Sequence, residues 1–133
     1  MQDKILEAEK RLKPILGKRV SIFEAHRMSY GRDWSPRMYG DDNIPEMVAV
    51  PRNTEECQEI VKVAYELGIP VIAFAGGTGM GGGVQAWKGG IMVDTKGMDQ
   101  VIEFDEKNMS VRVGAGITIW HLNEFLAKHG MWL

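Results

Sequence analysis

The fold of this chain is decided at a glycine-rich stretch, Phe74-Ala75-Gly76-Gly77-Thr78-Gly79-Met80-Gly81-Gly82-Gly83, in which six of ten residues are glycine. It follows directly on the apolar run Val71-Ile72-Ala73. Glycine loses more conformational freedom on folding than any other residue, so this density indicates a need for positive φ or for N–H donors without Cβ atoms. Successive N–H groups in such a loop form an anion-binding nest, and Thr78 adds a hydroxyl donor. The stretch therefore predicts a phosphate site, in preference to a flexible loop or a hairpin tip.

Neither of two common phosphate-binding motifs fits the glycine-rich loop. Residues 77–82 match G-x-G-x-x-G after a strand, and Asp94 ends the next apolar run, where a dinucleotide fold places its ribose-binding acid. Only residues 84–88 separate Gly83 from Gly89, however, which is too short for a crossover helix. The P-loop also fails, because no Gly-Lys-Ser/Thr follows. We therefore expect loop N–H groups, and not a helix dipole, to hold the phosphate.

A β-α-β unit is predicted immediately before the loop, over residues 47–75. Residues 47–50 form a short buried strand that Pro51 ends, and residues 71–74 form the second strand. Between them, Asn53 and Glu56 form a capping-box pattern, and Gly68 ends the helix. One apolar face of that helix is predicted to carry Cys57, Ile60, Val61, Ala64 and Leu67. The two strands are expected to be parallel.

Beyond the loop, the pattern predicts a turn at residues 87–90, a strand at 91–93 and a hairpin between residues 101 and 115. Thr118 is the expected cap of a last helix that Gly130 closes. The apolar face of this helix is predicted to consist of Ile119, Leu122, Phe125 and Leu126.

The N-terminal part divides into a helix and a loop. A helix over residues 1–17 is predicted behind Asp3 as a possible N-cap, with Gly17 as its stop and a face of Ile5, Ala8, Leu12, Ile15 and Leu16. Residues 21–45 lose this periodicity and are interpreted as one long, ordered, functional loop. Its polar and aromatic residues are His26, Arg27, Tyr30, Arg32, Asp33, Trp34, Ser35, Arg37, Tyr39, Asp41 and Asp42. His26 is a candidate catalytic base, although a histidine without an identifiable partner is more often structural.

Composition narrows the class of protein. The 133 residues, 44% hydrophobic and 26% charged, predict one domain over residues 1–133, and the net charge of −2 argues against nucleic acid as a partner. Single Cys57 and the lack of an apolar run of about 18 residues predict a cytoplasmic protein without a transmembrane segment. His26, His121 and His129 are too scattered to predict a metal site. Trp87, Trp120 and Met80 are expected to serve in packing and not in ligand binding. Met80 is the exception where its position in the glycine-rich loop brings it to the ligand.

Six motifs follow one another in the chain, at residues 51–56, 64–71, 76–78, 82–83, 90–95 and 113–116. In this order and spacing they resemble the first FAD-binding segment of the FAD-linked oxidases, which include vanillyl-alcohol oxidase, D-lactate dehydrogenase and the glycolate oxidase flavoprotein subunit. The resemblance runs from about Tyr30 to the end. It implies an α+β fold, with the β-α-β unit and hairpin packed with helices as the first subdomain of a PCMH-type FAD-binding domain. It also implies FAD as cofactor. The contacts carried over are Ala75, Gly76, Gly77, Thr78, Gly79, Met80, Gly82 and Gly83; where the family often shows Pro-Arg-Gly, residues 73–75 are Ala-Phe-Ala, so a cation is missing.

By the same resemblance, residues 46–133 are expected to be the FAD-binding subdomain of a flavin-dependent oxidoreductase that acts on a 2-hydroxy acid of the glycolate or D-lactate type. The catalytic residues are unknown. The alternatives are a non-catalytic nucleotide- or phosphate-binding module and a split subunit completed by a second polypeptide. The ending at Trp132-Leu133 predicts that this is part of a larger flavin domain. We therefore expect weak FAD binding by the chain alone, and a homodimer or a complement by the missing C-terminal part.

Overall fold

Four short strands form the main sheet of the protein, in the order β1-β2-β4-β3. The structure, a computed structural model, describes residues 1–35 and 43–133. The strands of this sheet are β1 (Val20–Ser21), β2 (Met47–Ala49), β3 (Val71–Phe74) and β4 (Ile91–Asp94), and a second sheet pairs β5 (Val101–Asp105) with β6 (Ser110–Val113). The helices are α1 (Gln2–Leu16), α2 (Glu24–Met28), α3 (Thr54–Leu67) and α4 (Ile119–Ala127), with 3₁₀ turns at Gly17–Arg19 and Thr95–Gly97. The mixed helices and strands confirm the predicted α+β class.

The predicted β-α-β unit is present, but its two strands are not neighbours. Both β2 and β3 run parallel to β4, which lies between them, and β1 is antiparallel to β2 at the far edge. All four residues of β4 are buried, whereas Val71 of the edge strand β3 is exposed. A strand that is apolar on both faces is most stable at the centre of a parallel sheet, because both faces are covered there.

The two faces of the main sheet pack differently. On one face, Met47, Ala49, Ile91 and Val93 form a common core with α1 and α3. On the other face, the core is smaller and consists of Tyr30, Val48, Phe74 and Met92. This alternation follows from the two-residue period of a strand. The glycine-rich loop begins at Phe74, so it joins the second, more thinly covered face.

Helix α1 buries Ile5, Ala8, Leu12 and Leu16, as predicted, but Ile15 of the predicted face is 41% exposed. The prediction that Asp3 is the N-cap is wrong, because the helix begins at Gln2 and its cap is Met1. Asp3 instead lies in the first turn, where its charge favours the helix dipole. The predicted stop is confirmed, since Gly17 has φ +60°.

Helix α3 begins and ends as the capping pattern indicates. The N–H of Glu56 donates to Asn53 Oδ1 at 2.9 Å, and Gly68 adopts a left-handed φ of +63°. The prediction that Val61 lies on the buried face is wrong, because its side chain is 51% exposed. Val63, which is 3% exposed, lies there instead. Ile60, Val63 and Ala64 follow the i, i+3, i+4 spacing of one helix face, and Val61 lies one step of about 100° away from Ile60.

The interpretation of residues 21–45 as a single loop is wrong. Ser21 belongs to β1, and the five residues of α2 follow. Arg27 of α2 donates to the carbonyl oxygens of Ile22 and Pro45 at 2.9 and 3.0 Å, which ties the two ends of the segment together. A helix of this length is too short to show a periodic pattern. Arg37, Tyr39, Asp41 and Asp42 of the predicted loop lie outside the described residues.

The hairpin and the last helix form a separate layer. Phe104 of β5 is opposite Val111 of β6, and its ring meets Phe125 of α4 edge-on at 5.5 Å. Thr118 caps α4 by accepting a hydrogen bond from the N–H of His121 at 3.2 Å, as predicted. Leu122 and Leu126 are buried, but Ile119 and Trp120 are 62% and 69% exposed. The predictions that Ile119 belongs to the apolar face and that Trp120 packs internally are therefore wrong.

An ion pair joins the entry of β1 to the start of α3. Arg19 Nη2 lies 2.7 Å from Glu56 Oε1, and Arg19 Nη1 also donates to the carbonyl oxygen of Val50. The Arg19 guanidinium, and then the N–H of Arg52, lower the pKa of Glu56 from its ordinary value of 4.5. The Glu56 side chain is only 15% exposed, so this pair is screened little by solvent.

We predict that Glu56→Gln lowers the free energy of unfolding at pH 7 by about 1–3 kcal/mol, because a charged hydrogen bond to Arg19 is lost. The pKa of Glu56 is lowered by folding, so its contribution is present above 4.5 and is lost as the pH falls through the folded pKa. Urea unfolding at a series of pH values measures this. The difference between parent and variant should shrink below pH 4.5, and Glu55→Gln is the matched control; a difference independent of pH would contradict the role of the pair.

We predict that Leu126→Ala lowers the free energy of unfolding by about 2–5 kcal/mol, because its side chain is 5% exposed and truncation leaves a cavity. Glu124→Ala, at an exposed position of the same helix, is the control and should change it by less than about 0.5 kcal/mol. Urea midpoints measure both. An unchanged midpoint for Leu126→Ala would show that α4 is not docked.

Candidate functional site

The glycine-rich loop leaves the main sheet at the carboxyl end of β3 and returns to it at the start of β4. In open sheets with parallel strands, ligands bind outside the carboxyl ends of the strands. Within residues 1–35 and 43–133, no group accepts a hydrogen bond from the backbone N–H groups of residues 76–81. These donors are available to a ligand, and a row of such donors is the usual basis of an anion site.

The glycines of the loop serve two distinct purposes. Gly77 and Gly82 have φ of +65° and +73°, a region that side chains rarely adopt, and a Cβ on Gly77 would lie 2.6 Å from Phe74 Cζ. At Gly79, Gly81 and Gly83, by contrast, a Cβ would meet nothing within 4 Å. The first pair sets the backbone conformation, and the other three leave open space beside the backbone. Phosphate oxygens can approach N–H groups closely only where such space exists.

Two side chains of the loop add to this surface. The Thr78 hydroxyl lies next to Gly76, because a Cβ on Gly76 would be 3.7 Å from Thr78 Oγ1. Met80 is 76% exposed, so it does not serve in packing within the described residues. The loop thus presents N–H donors, one hydroxyl and a flexible apolar side chain, and this set fits a ligand that combines a phosphate with an apolar part.

A clasp, formed by Asp33, Ser35 and Gln85, holds the loop from the side. Gln85 Nε2 donates to Asp33 Oδ1 at 3.0 Å and to Ser35 Oγ at 2.6 Å. The N–H of Trp34 donates to the carbonyl oxygen of Gly79 at 3.0 Å. Hydrogen bonds from the Ser35 hydroxyl, and next from Gln85, lower the pKa of Asp33, so the clasp favours the ionised carboxylate. No local sequence pattern predicts this role of Gln85, because its partners Asp33 and Ser35 lie about 50 residues earlier in the chain.

Trp87 closes the end of the loop. Its Nε1 donates to the carbonyl oxygen of Gly82 at 3.1 Å, and a Cβ on Gly82 would lie 3.1 Å from its Cζ2. The side chain packs against Gly82, as expected, yet Trp87 is 50% exposed. The exposed part of the indole therefore forms part of the surface beside the loop.

Asp94 is engaged within the protein, which argues against the role of a ribose-binding acid. It is 3% exposed, its Oδ2 accepts from the Tyr30 hydroxyl at 2.7 Å, and its Oδ1 accepts from the N–H of Lys96 at 2.9 Å. Burial, and then the hydrogen bond to Asp94, raise the pKa of Tyr30. The structure therefore supports the rejection of the dinucleotide motif at this loop.

The other candidates for chemistry lie away from the loop or in packing positions. The His26 ring meets the Tyr30 ring edge-on at 5.5 Å. Cys57 is half-buried against the core of α1 and α3, and burial raises the pKa of its thiol, which disfavours the nucleophilic thiolate. Among the described residues, no three His, Cys, Asp or Glu side chains are grouped to hold a metal ion.

We predict that Gly77→Val lowers the affinity for FAD or ADP at least tenfold, because a branched side chain would collide with Phe74 and exclude positive φ. Gly79→Ala is the complementary variant: its Cβ meets no protein atom, so stability should be kept while the methyl group obstructs a phosphate. Calorimetric titration and thermal unfolding separate the two effects. Unchanged nucleotide affinity in both variants would contradict the site.

Residues 45–133 match the family described as the FAD binding domain. Among the curated relatives, the chain is 34% identical over 113 residues to the "Probable D-lactate dehydrogenase, mitochondrial" of Danio rerio, which covers 85% of this chain and 22% of that protein. It is 32% identical over 93 residues to the "Glycolate oxidase subunit GlcD" of Bacillus subtilis, covering 70% of this chain and 19% of the relative. The chain thus spans only about a fifth of the length of these two relatives.

The fold is similar to that of two solved structures. The structure of 4-ethylphenol oxidase from Gulosibacter chungangensis superposes with a TM-score of 0.86 at 29% identity, over 98% of this chain and 25% of that one. That of p-cresol methylhydroxylase superposes with a TM-score of 0.85 at 21% identity, over 98% and 26% of the two chains, and bears on the fold alone. The fold is therefore that of the first part of a PCMH-type domain, and the chain belongs to the FAD-binding domain family of the FAD-linked oxidases.

Proposed function

We propose that this chain is the FAD-binding N-terminal portion of a flavin-dependent oxidoreductase that acts on a 2-hydroxy acid of the glycolate or D-lactate type. The observation that carries the binding site is the row of available N–H donors at residues 76–81, at the carboxyl end of β3. The names of the relatives, D-lactate dehydrogenase and glycolate oxidase subunit, support the substrate class. The cofactor contacts proposed are Ala75, Gly76, Gly77, Thr78, Gly79, Met80, Gly82 and Gly83.

The residues of this chain bind and orient the cofactor. The N–H groups of residues 76–81 donate to the pyrophosphate oxygens, and the Thr78 hydroxyl adds one further donor. Phe74 and Trp87 keep Gly77 and Gly82 in their left-handed conformations, so the donors are arranged before the ligand arrives. This preorganisation lowers the entropic cost of binding. When bound, FAD would be the acceptor of the hydride that leaves the substrate carbon.

The base and the substrate-binding groups of the complete enzyme are proposed to lie outside this chain. The proposal is supported by the share of the relatives that this chain spans, which is about a fifth of their length. Residues 1–133 are proposed to fold as a single unit that is part of a larger flavin domain. Within this unit, residues 46–133 are proposed to be the FAD-binding subdomain.

The experiment that tests this function starts from the colour of the purified protein. For the complete enzyme, we expect a yellow chromophore that mass spectrometry identifies as FAD after denaturation. Under anaerobic conditions, D-lactate or glycolate should bleach the flavin absorbance of the complete enzyme, and L-lactate is the control. A colourless protein that carries another nucleotide or an anion in the loop would favour the alternative of a non-catalytic binding module. A flavin that neither 2-hydroxy acid reduces would refute the substrate class.

We also propose that the chain is covered by a second polypeptide, either another copy of itself or the remaining part of a flavin domain. Ile119, Trp120, Trp132 and Leu133 expose 62–74% of their surfaces on or next to α4. Exposed aromatic side chains of this kind are typical of interfaces. Light scattering on the 133-residue chain tests this, because a monomer at high concentration that retains stoichiometric FAD would contradict it.

The cellular location is proposed to be the cytoplasm, on the basis of the single, unpaired Cys57. Within residues 1–35 and 43–133, no helix has the length and apolar character needed to cross a membrane. The Danio rerio relative, however, is named as mitochondrial. Imaging of the tagged protein in cells decides between the two compartments.

A further inference from the structure

We propose that Lys96 is a phosphate-binding residue of the glycine-rich loop and supplies the full positive charge that the loop's own sequence lacks. This inference rests on the proposed FAD site and extends it to a residue outside the loop. Residues 71–87 contain no Lys or Arg. The N–H groups of a nest carry only partial charges, whereas a pyrophosphate carries at least two full negative charges. A cation from another element is therefore expected beside the loop.

Lys96 and Gly77 both lie against the ring of Phe74. Lys96 Nζ is 5.2 Å from the centre of that ring and 5.5 Å from the centre of the Tyr30 ring. A Cβ on Gly77 would lie 2.6 Å from Cζ of the same Phe74 ring. The ammonium group and the first left-handed residue of the loop thus both lie next to the Phe74 ring, although 19 positions of the chain separate them.

The ammonium group is held in this place by a buried partner. Lys96 Nζ lies 3.1 Å from Asp94 Oδ2, and the side chain of Asp94 is only 4% exposed. Tyr30 donates to the same carboxylate oxygen, and the N–H of Lys96 donates to the other. The backbone of residues 95–97 is a 3₁₀ turn capped by Asp94, so the carboxylate positions both ends of the lysine.

Lys96 keeps donors free for a ligand. An ammonium group has three N–H donors, and among residues 1–35 and 43–133 Asp94 is the acceptor that the structure places within reach of Nζ. The side chain of Lys96 is 54% exposed. A pyrophosphate seated on the N–H groups of residues 76–81 would offer oxygens to the remaining donors. Asp94 is then a positioning residue, which holds the ammonium group over Phe74, and Lys96 makes the contact.

The test is a titration of the ¹⁵N-labelled 133-residue chain with ADP, followed through the amide signals of the loop glycines, since this method measures millimolar affinities. Lys96→Met should weaken ADP binding roughly tenfold, the effect of losing one charge-assisted hydrogen bond. Lys96→Arg should retain most of the affinity. Lys107→Met, in the hairpin turn, is the matched control and should bind ADP as the parent does. Adenosine, which lacks phosphate, should bind the parent and Lys96→Met equally.

A second measurement does not depend on how well the variant folds. ADP should protect Lys96 Nζ of the parent chain from acetylation, as read by mass spectrometry, and should leave Lys107 reactive. Equal ADP affinity in the parent and Lys96→Met, or unprotected Lys96 in the presence of bound ADP, would overturn this inference and leave the FAD site standing. If ADP shifts no loop glycine of the parent, the loop is not a phosphate site, and both proposals fail.

Discussion

The contact between the Phe74 ring and the backbone of Gly77 is the constraint on which the site depends. Phe74 is the last residue of β3, is 7% exposed, and packs edge-on against Tyr30 at 4.9 Å. Because a Cβ on Gly77 would enter this ring, the chain must turn there with a left-handed residue that has no side chain. In the part of the chain that the structure describes, the N–H groups of residues 76–81 then have no internal acceptor. Packing on the sheet therefore prepares the polar surface of the loop.

The order of the strands decides where this surface lies. With β4 at the centre, the loop after β3 and the turn after β4 emerge next to each other, since both strands are parallel. Phe74 and Asp94 are paired in this register, which brings the lysine that follows Asp94 to the ring below the loop. An order with β2 between β3 and β4 would have separated these two ends. The pairing of β3 with β4 is thus a requirement of the site.

The functional assignment combines two different kinds of support. Membership of the FAD-binding domain family rests on the match over residues 45–133, and the fold rests on superpositions that cover nearly the whole chain. Neither reaches the substrate, because the relatives named for lactate and glycolate extend far beyond the matched region. The chain accounts for binding and orienting a cofactor, and the proposed chemistry on a 2-hydroxy acid needs groups from elsewhere. An apolar surface beside α4 is consistent with a fold that is covered by further protein.

Local patterns in the sequence determined most of the helices and strands. The caps at Asn53 and Thr118, the stops at Gly17 and Gly68 and the hairpin depend on neighbouring residues, so they could be predicted. Tertiary structure alone decided that β4 separates β2 from β3, that Val63 and not Val61 faces the core, and that Gln85 clasps the loop. It also decided the place of Lys96, which sequence could not connect with Gly77. These features depend on contacts between residues far apart in the chain, and their energies depend on which surfaces meet, which no local pattern of residue types specifies.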